Sequence, residues 1–171
     1  MLKEKENENS QKCSRLLLSS LIVILILGGS EVIPSSMDSN KEKIISLSFF
    51  TIDKGFRSGI KEQKIIATKK EKEWEDLWRL HKGTSLPGQE IPRIDFEQEM
   101  VIAVFSGEKR TGGYGIEIKR VEENLEKGQL DAFSLETHPS PKSIVIQALT
   151  QPYHIVKLKK VDIPVMFIPG S

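Results

Sequence analysis

The sequence predicts an α+β domain in which a single, mostly antiparallel β-sheet packs against one main α-helix. Three observations lead to this prediction. One segment has clear helical periodicity, several short segments alternate or are continuously apolar as strands are, and the connections between them are short. Short connections favour antiparallel pairing, because parallel neighbours need a crossover of a dozen residues or more.

Length and composition favour one folded domain. The chain has 171 residues, of which 38% are hydrophobic and 29% charged, which suits a globular protein and argues against disorder. Residues 31–171 carry equal numbers of basic and acidic side chains, mixed along every segment. A nucleic-acid-binding protein usually has a basic surface of one sign, so this pattern predicts no nucleic-acid partner.

The N-terminus has the order of a secretory signal peptide over residues 1–30. Basic side chains precede an apolar run at 16–27, and small residues follow at 28–30. As a helix the run would reach roughly 18 Å, well short of the ~30 Å hydrocarbon core. We therefore expect a cleaved signal peptide, with an uncleaved membrane anchor as the alternative. Residues 31–43 are polar and aperiodic, which predicts a linker to a domain at 44–171.

The export signal predicts a location in the periplasm, in the cell envelope or outside the cell. The only cysteine, Cys13, precedes the apolar run, so the predicted domain contains no disulfide and no cysteine-ligated metal. The three histidines, His81, His138 and His154, lack metal-binding spacing. We therefore expect neither a metal nor another cofactor.

The predicted domain begins with a strand over residues 44–52. Its apolar alternation changes phase at Phe50, which predicts a β-bulge. A turn at 55–59 then leads to a short second strand at 64–68.

The next segment is the clearest helix. Thr68 and Glu71 have the spacing of a capping box, and Gly83 supplies a stop signal. The residues that recur on one helical face are Trp74, Leu77, Trp78 and His81.

The two tryptophans have two interpretations. An aromatic stripe that faces a sheet is usually part of the core, which is the prediction that we favour. The alternative is an exposed platform for a glycan or another small molecule. His81, in the last turn, is expected to interact favourably with the helix C-terminus.

Strands dominate the rest of the chain. Residues 100–105 are continuously apolar, which predicts a central strand buried on both faces. Alternating patterns and turn signals predict further strands at 114–119, 129–137, 144–149, 153–158 and 165–168.

We find no pattern typical of an active site. Ser106 lacks the leading glycine of a GxSxG elbow. The glycine-containing loop at 107–113 has no phosphate-binding motif and leads into a strand. Asp95, Glu97 and Glu99 could be imagined as the carboxylates of a glycosidase, but alternating acids before a buried strand more often face solvent. We therefore predict that the protein is not an enzyme.

Two segments, 107–118 and 150–156, resemble the signature of a known family. The residues that carry the resemblance are Thr111, Gly112, Gly113 and Tyr114 in the first segment and Thr150, Pro152 and Tyr153 in the second. Together with the tryptophan helix, they resemble the PrcB C-terminal domain over roughly residues 45–168. Arg110 stands where the family pattern has a proline before this threonine.

The resemblance implies a non-catalytic accessory domain of the cell envelope, named after a subunit that associates with a subtilisin-like protease. We therefore expect the chain to bind or stabilise a partner protein, with such a protease as the partner that the resemblance suggests, through these seven residues. Their alternative role is structural, in turn geometry and packing. The second functional hypothesis is an extracytoplasmic domain that binds a small molecule or glycan. Membrane contact is expected only through an uncleaved N-terminal segment.

Overall fold

The computed structural model describes residues 44–83 and 90–170. The predicted signal peptide and linker, residues 1–43, lie outside the described residues. Among the residues described, no helix is both long and apolar enough to cross a membrane. The elements in chain order are β1 (Ile44–Leu47), β2 (Phe49–Gly55), β3 (Gln63–Thr68), α1 (Glu71–Lys82), β4 (Glu99–Ser106), β5 (Gly115–Asn124), β6 (Gln129–Thr137), β7 (Tyr153–Lys159) and β8 (Val165–Gly170).

The strands form two four-stranded sheets, so the prediction of a single sheet was wrong. The first sheet has the order β1-β5-β6-β8 and the second the order β2-β7-β4-β3. The predicted strand at 44–52 is interrupted at Ser48, and its two parts join different sheets. Strand β1 pairs with β5, and β2 pairs with β7. Alternation reports which face of a strand is buried, but it does not report which sheet the strand joins.

The predicted α+β class and the predominance of antiparallel pairs are confirmed. Between the described strands, β6 and β8 form a parallel pair and the other pairs are antiparallel. The predicted bulge is also confirmed, because the register of β2 against β7 shifts between Thr51 and Asp53.

One core fills the space between the two sheets. Met100, Ile102 and Val104 alternate along β4 and face this layer, where they meet Ile118 and Leu130 of the first sheet. All five side chains are buried. Burial of each such side chain stabilises the fold by about 1.5–3 kcal/mol, so this layer holds the sheets together.

A second core lies on the other face of the second sheet, under α1. Val101, Ala103 and Phe105 of β4 point to this side, where they belong to one cluster with Trp74 and Trp78. Strand β4 is thus buried on both faces and lies inside its sheet, as its continuous apolar run predicted.

Helix α1 lies where the sequence predicts it and ends at the predicted glycine, but the capping of its first turn differs from the prediction. The N-cap residue is Lys70, which makes no side-chain cap hydrogen bond, so the predicted capping box is absent. The Thr68 hydroxyl donates instead to Glu73 Oε2, at 2.8 Å. At the other end Gly83 has a φ of 67° and its N–H donates to the Arg79 carbonyl, as expected of a glycine stop.

The strand predicted at 144–149 does not form, which makes that prediction wrong. Ile144, Ile146 and Leu149 are exposed. The backbone of this segment is hydrogen-bonded to the loop at 107–113, because the Gly112 N–H donates to the Ile146 carbonyl. β-Branched residues favour strands only where a neighbouring strand and a buried face are available. The sequence pattern cannot show that both are missing here.

Candidate functional site

The two family-like segments meet at one end of the sandwich. Residues 107–114 connect β4 to β5, and residues 150–152 lead into β7. Lys109 and Thr150 form an isolated antiparallel bridge with backbone hydrogen bonds of 2.7 and 3.0 Å. The Thr150 hydroxyl also donates to the Thr111 carbonyl, at 3.0 Å. The structure therefore brings together residues that lie about forty positions apart in the sequence.

A groove of about 540 Å³ opens beside this junction. Residues 54–56 at the end of β2 form one wall, and residues 113–117 at the start of β5 form the other. Tyr153 lies between them and Thr137 completes the lining. Phe56, which is 59% exposed, stands at the rim.

Among the predicted residues, Gly113 and Tyr114 are the groove residues that a partner could reach most directly. Tyr114 is half-buried, its ring meets that of His138 edge-on at 5.7 Å, and Lys109 Nζ lies 5.5 Å from the ring centre. Gly113 is exposed with a φ of 86°, and an added Cβ would lie 2.9 Å from Pro139 Cβ. Glycine is thus needed here to shape the turn that presents Tyr114.

The other predicted residues hold the junction together. Gly112 N–H donates to the Ile146 carbonyl, and the buried Pro152 accepts at its carbonyl from Ser106 N–H, at 2.9 Å in both cases. Tyr153 is buried and stacks on Phe105, with ring centres 6.3 Å apart. These residues form the floor and support of the groove.

A polar cluster lies beneath Tyr153. The Tyr153 hydroxyl donates to Asp53 Oδ1 at 3.1 Å, and Asp53 Oδ2 accepts from Lys82 Nζ and from His81 Nε2, the latter at 3.2 Å. His81 Nδ1 accepts from the Ser58 hydroxyl at 2.9 Å. His81 lies in the last turn of α1, as predicted, but its side chain is 0% exposed and both ring nitrogens bond members of this cluster. Sequence reasoning missed the cluster because its members come from β2, a loop, α1 and β7.

Burial and hydrogen bonding set the protonation of this cluster. Burial raises the pKa of Asp53, but hydrogen bonds from Lys82, His81 and Tyr153 outweigh it and hold the pKa below its usual value. Burial lowers the pKa of His81 and raises the pKa of Tyr153. At neutral pH the cluster therefore contains a carboxylate beside a neutral imidazole and a neutral phenol.

Ser58, His81 and Asp53 are connected in the order of a serine-hydrolase triad. Their surroundings favour a structural role. The Ser58 oxygen already accepts the Ile60 N–H at 3.1 Å, and the His81 side chain is 0% exposed, so a leaving group has no access to its ring. The neighbouring Gly59 N–H, which could serve an oxyanion, donates to the His81 carbonyl at 2.6 Å.

The acidic residues at and just before the start of β4 also have structural partners. Asp95 Oδ1 accepts from Glu97 N–H at 3.1 Å, and Glu99 forms an ion pair with Lys157 at 2.8 Å. These contacts fit the interpretation as the polar approach to a buried strand. Among residues 44–83 and 90–170, no group of three or more His, Cys, Asp or Glu side chains could hold a metal ion.

Both tryptophans are buried, so the idea of an exposed glycan platform was wrong. Trp74 is 1% exposed and its Nε1 donates to the Pro92 carbonyl at 2.9 Å. Trp78 packs beside it, with ring centres 5.1 Å apart. The predicted core role of these residues is confirmed.

Replacing Asp53 by alanine is expected to lower the free energy of unfolding by about 1–3 kcal/mol, because the His81 and Tyr153 donors lose their acceptor. Urea denaturation at neutral pH measures this. The matched control is Asp76→Ala on the exposed face of α1, where the carboxylate pairs with Lys72 at 3.6 Å and a change below about 0.5 kcal/mol is expected. Equal effects of the two substitutions would contradict a structural role for the cluster.

The comparisons with known proteins give one family match. The family model described as PrcB C-terminal matches residues 100–159, from the start of β4 to the end of β7. Neither a curated protein nor a solved structure matches the chain. The matched stretch contains both family-like segments, while α1 and the first three strands lie outside it. Residues 100–159 of this chain are therefore similar to the PrcB C-terminal family, in agreement with the resemblance of the sequence motifs.

Proposed function

We propose that this domain is a non-catalytic accessory module that binds a partner protein outside the cytoplasm, at the groove end of the sandwich. The observation that carries the proposal is the convergence of both family segments on one groove. Its walls combine the exposed Phe56 with the half-buried Tyr114 over a floor made by Tyr153. Aromatic side chains around a concave surface are typical of the energetic centre of a protein interface.

The family match supports the kind of partner. The resemblance implies a subunit that associates with a subtilisin-like protease, so a protease complex is the partner that we propose first. The N-terminal pattern of basic, apolar and small residues supports export to the cell envelope. The shielded Ser58–His81–Asp53 arrangement supports a binding role over hydrolysis.

Substituting Tyr114 by alanine is expected to weaken partner binding at least about tenfold, because an interface aromatic of this kind contributes roughly 1.4 kcal/mol or more. Its effect on the free energy of unfolding is expected to stay below about 1 kcal/mol, since the ring is only half-buried. The partner is first identified by photo-crosslinking in intact cells, with benzoylphenylalanine placed at position 114. The affinity of this partner for the wild type and for Tyr114→Ala is then measured.

The control is Leu125→Ala. Leu125 is another exposed apolar residue, at 53%, in the turn between β5 and β6 at the opposite end of the sandwich. We expect this variant to bind the partner as the wild type does. If both variants bind equally well, the groove is not the interface.

A further inference from the structure

The groove lies where the first sheet is incomplete. Strand β1 pairs with β5 only from Val121 to Asn124, because the chain crosses to the second sheet at Ser48. Strand β5 begins at Gly115 and pairs with β6 as far as Asn124, with a register shift between Ile118 and Arg120. In the part of the chain that the structure describes, residues 115–120 therefore have a strand on one side only.

Side chains close the middle of this open edge. His154 of β7 accepts the Ile118 N–H at Nδ1, at 3.0 Å, and its Nε2 bonds the Thr51 hydroxyl at 2.9 Å. Beside it, Lys54 and Glu117 form an ion pair of 3.0 Å across the same gap. These contacts therefore bridge β5 and β2 at this level, and Lys54 and Glu117 also line the groove.

The backbone of Ile116, a residue that is 5% exposed, is oriented away from β6. Because the Ile118 N–H goes to His154, Ile118 and Ser134 form a non-hydrogen-bonded pair of the β5–β6 ladder. In an antiparallel ladder, every second residue of a strand directs its N–H and C=O to the same side. The register is unbroken between Ile116 and Ile118, so Ile116 and Glu136 also form a non-hydrogen-bonded pair. Its N–H and C=O therefore point away from β6, and Ile116 lines the groove.

We propose that the groove takes an extended segment of the partner protein, which pairs with β5 as an added strand in line with β1. This inference rests on the function proposed above and specifies its mode. An open strand edge is a template for another strand, and such pairing satisfies the backbone groups of Ile116. One side chain of the segment enters between Phe56 and Tyr114, above Tyr153. An apolar or aromatic residue fits there, because the charged lining residues Lys54 and Glu117 already pair with each other.

The probe is a set of ten-residue peptides selected from a random phage-displayed library on the purified full chain. The best binder is then synthesised with a backbone N-methyl group at each position in turn, which removes one hydrogen-bond donor at a time. Strand addition predicts an alternating result. Methylation costs at least about tenfold in affinity at every second position within the paired stretch and less than about threefold at the positions between, because alternate N–H groups of a strand face the ladder.

Hydrogen exchange supplies a second readout. Bound peptide is expected to slow exchange of the Ile116 amide at least about tenfold. The amide of Ile118 is the internal control, since it already bonds His154 in the free protein.

Three outcomes would overturn strand addition. The first is a peptide that binds tightly but shows no alternating effect of N-methylation. The second is an unchanged exchange rate of the Ile116 amide when the peptide binds. The third is that no selected peptide binds Tyr114→Ala more weakly than the wild type. If the natural partner identified by crosslinking binds Tyr114→Ala more weakly than the wild type, these outcomes leave the proposed function in place. If the natural partner binds Tyr114→Ala as it binds Leu125→Ala, the proposed function itself is wrong.

Discussion

Replacing Trp74 by alanine is expected to lower the free energy of unfolding by about 3–5 kcal/mol, the range for large aromatic residues removed from a core. Trp74 is 1% exposed and packs between α1 and the second sheet. The substitution would leave a cavity beside Trp78. It would also remove the hydrogen bond of 2.9 Å that Trp74 Nε1 donates to the Pro92 carbonyl. A loss of this size is comparable to the whole stability of many small domains.

Denaturation by guanidinium chloride, followed by circular dichroism, measures the effect of Trp74→Ala. The matched control is Lys72→Ala in the same helix, because the Lys72 side chain is 85% exposed and its change is expected to stay within about 0.5 kcal/mol. A difference between the two variants of less than about 1 kcal/mol would contradict the packing of α1 on the second sheet.

Acid is expected to destabilise the domain through His154. Burial lowers the pKa of His154 to about 4, whereas an unfolded histidine titrates near 6.5. Between these values the unfolded chain binds more protons than the folded chain, so stability rises with pH. As pH falls through this window, His154 alone is expected to remove about 3 kcal/mol from the free energy of unfolding. The physical reason is that a charged ring is costly in this buried place, and protonation of Nδ1 would also remove the acceptor of the Ile118 N–H.

The experiment compares urea denaturation of the wild type and of His154→Gln from pH 7 to pH 4. The wild type should lose about 3 kcal/mol more than the variant over this range. His138→Gln, at an exposed histidine, is the control and should keep the wild-type profile. Parallel profiles for the wild type and His154→Gln would contradict the neutral, buried state of His154. Glu117 is a separate contributor at lower pH, because hydrogen bonds from Lys119 and Lys54 lower its pKa to about 2.

Much of the secondary structure could be predicted, because local periodicity reports local conformation and burial. The continuous apolar run at 100–105 marked the doubly buried β4, and the alternation at 129–137 matched β6. The spacing of the two tryptophans placed α1 and its buried face, and Gly83 marked its end. The segment at 144–149 failed, since its strand-like side chains found no partner strand.

The candidate site could be predicted only in part. The family-like segments identified Tyr114 and Tyr153, which line one groove. The sequence did not reveal Phe56 on the opposite wall, nor the contact between His81 and Asp53, which are 28 positions apart. Such neighbours depend on how sheets stack, and no local period encodes that.

By itself, the sequence determined the α+β class, most strand positions and the similarity of residues 100–159 to the PrcB C-terminal family, because these follow from side-chain periodicity and from short signature segments. Only the tertiary structure decided that the strands divide into two sheets at Ser48, that β5 keeps an open edge and that a groove forms beside it. The physical reason is that backbone hydrogen bonds are nearly independent of side-chain identity, so the pairing of strands is set by long-range packing.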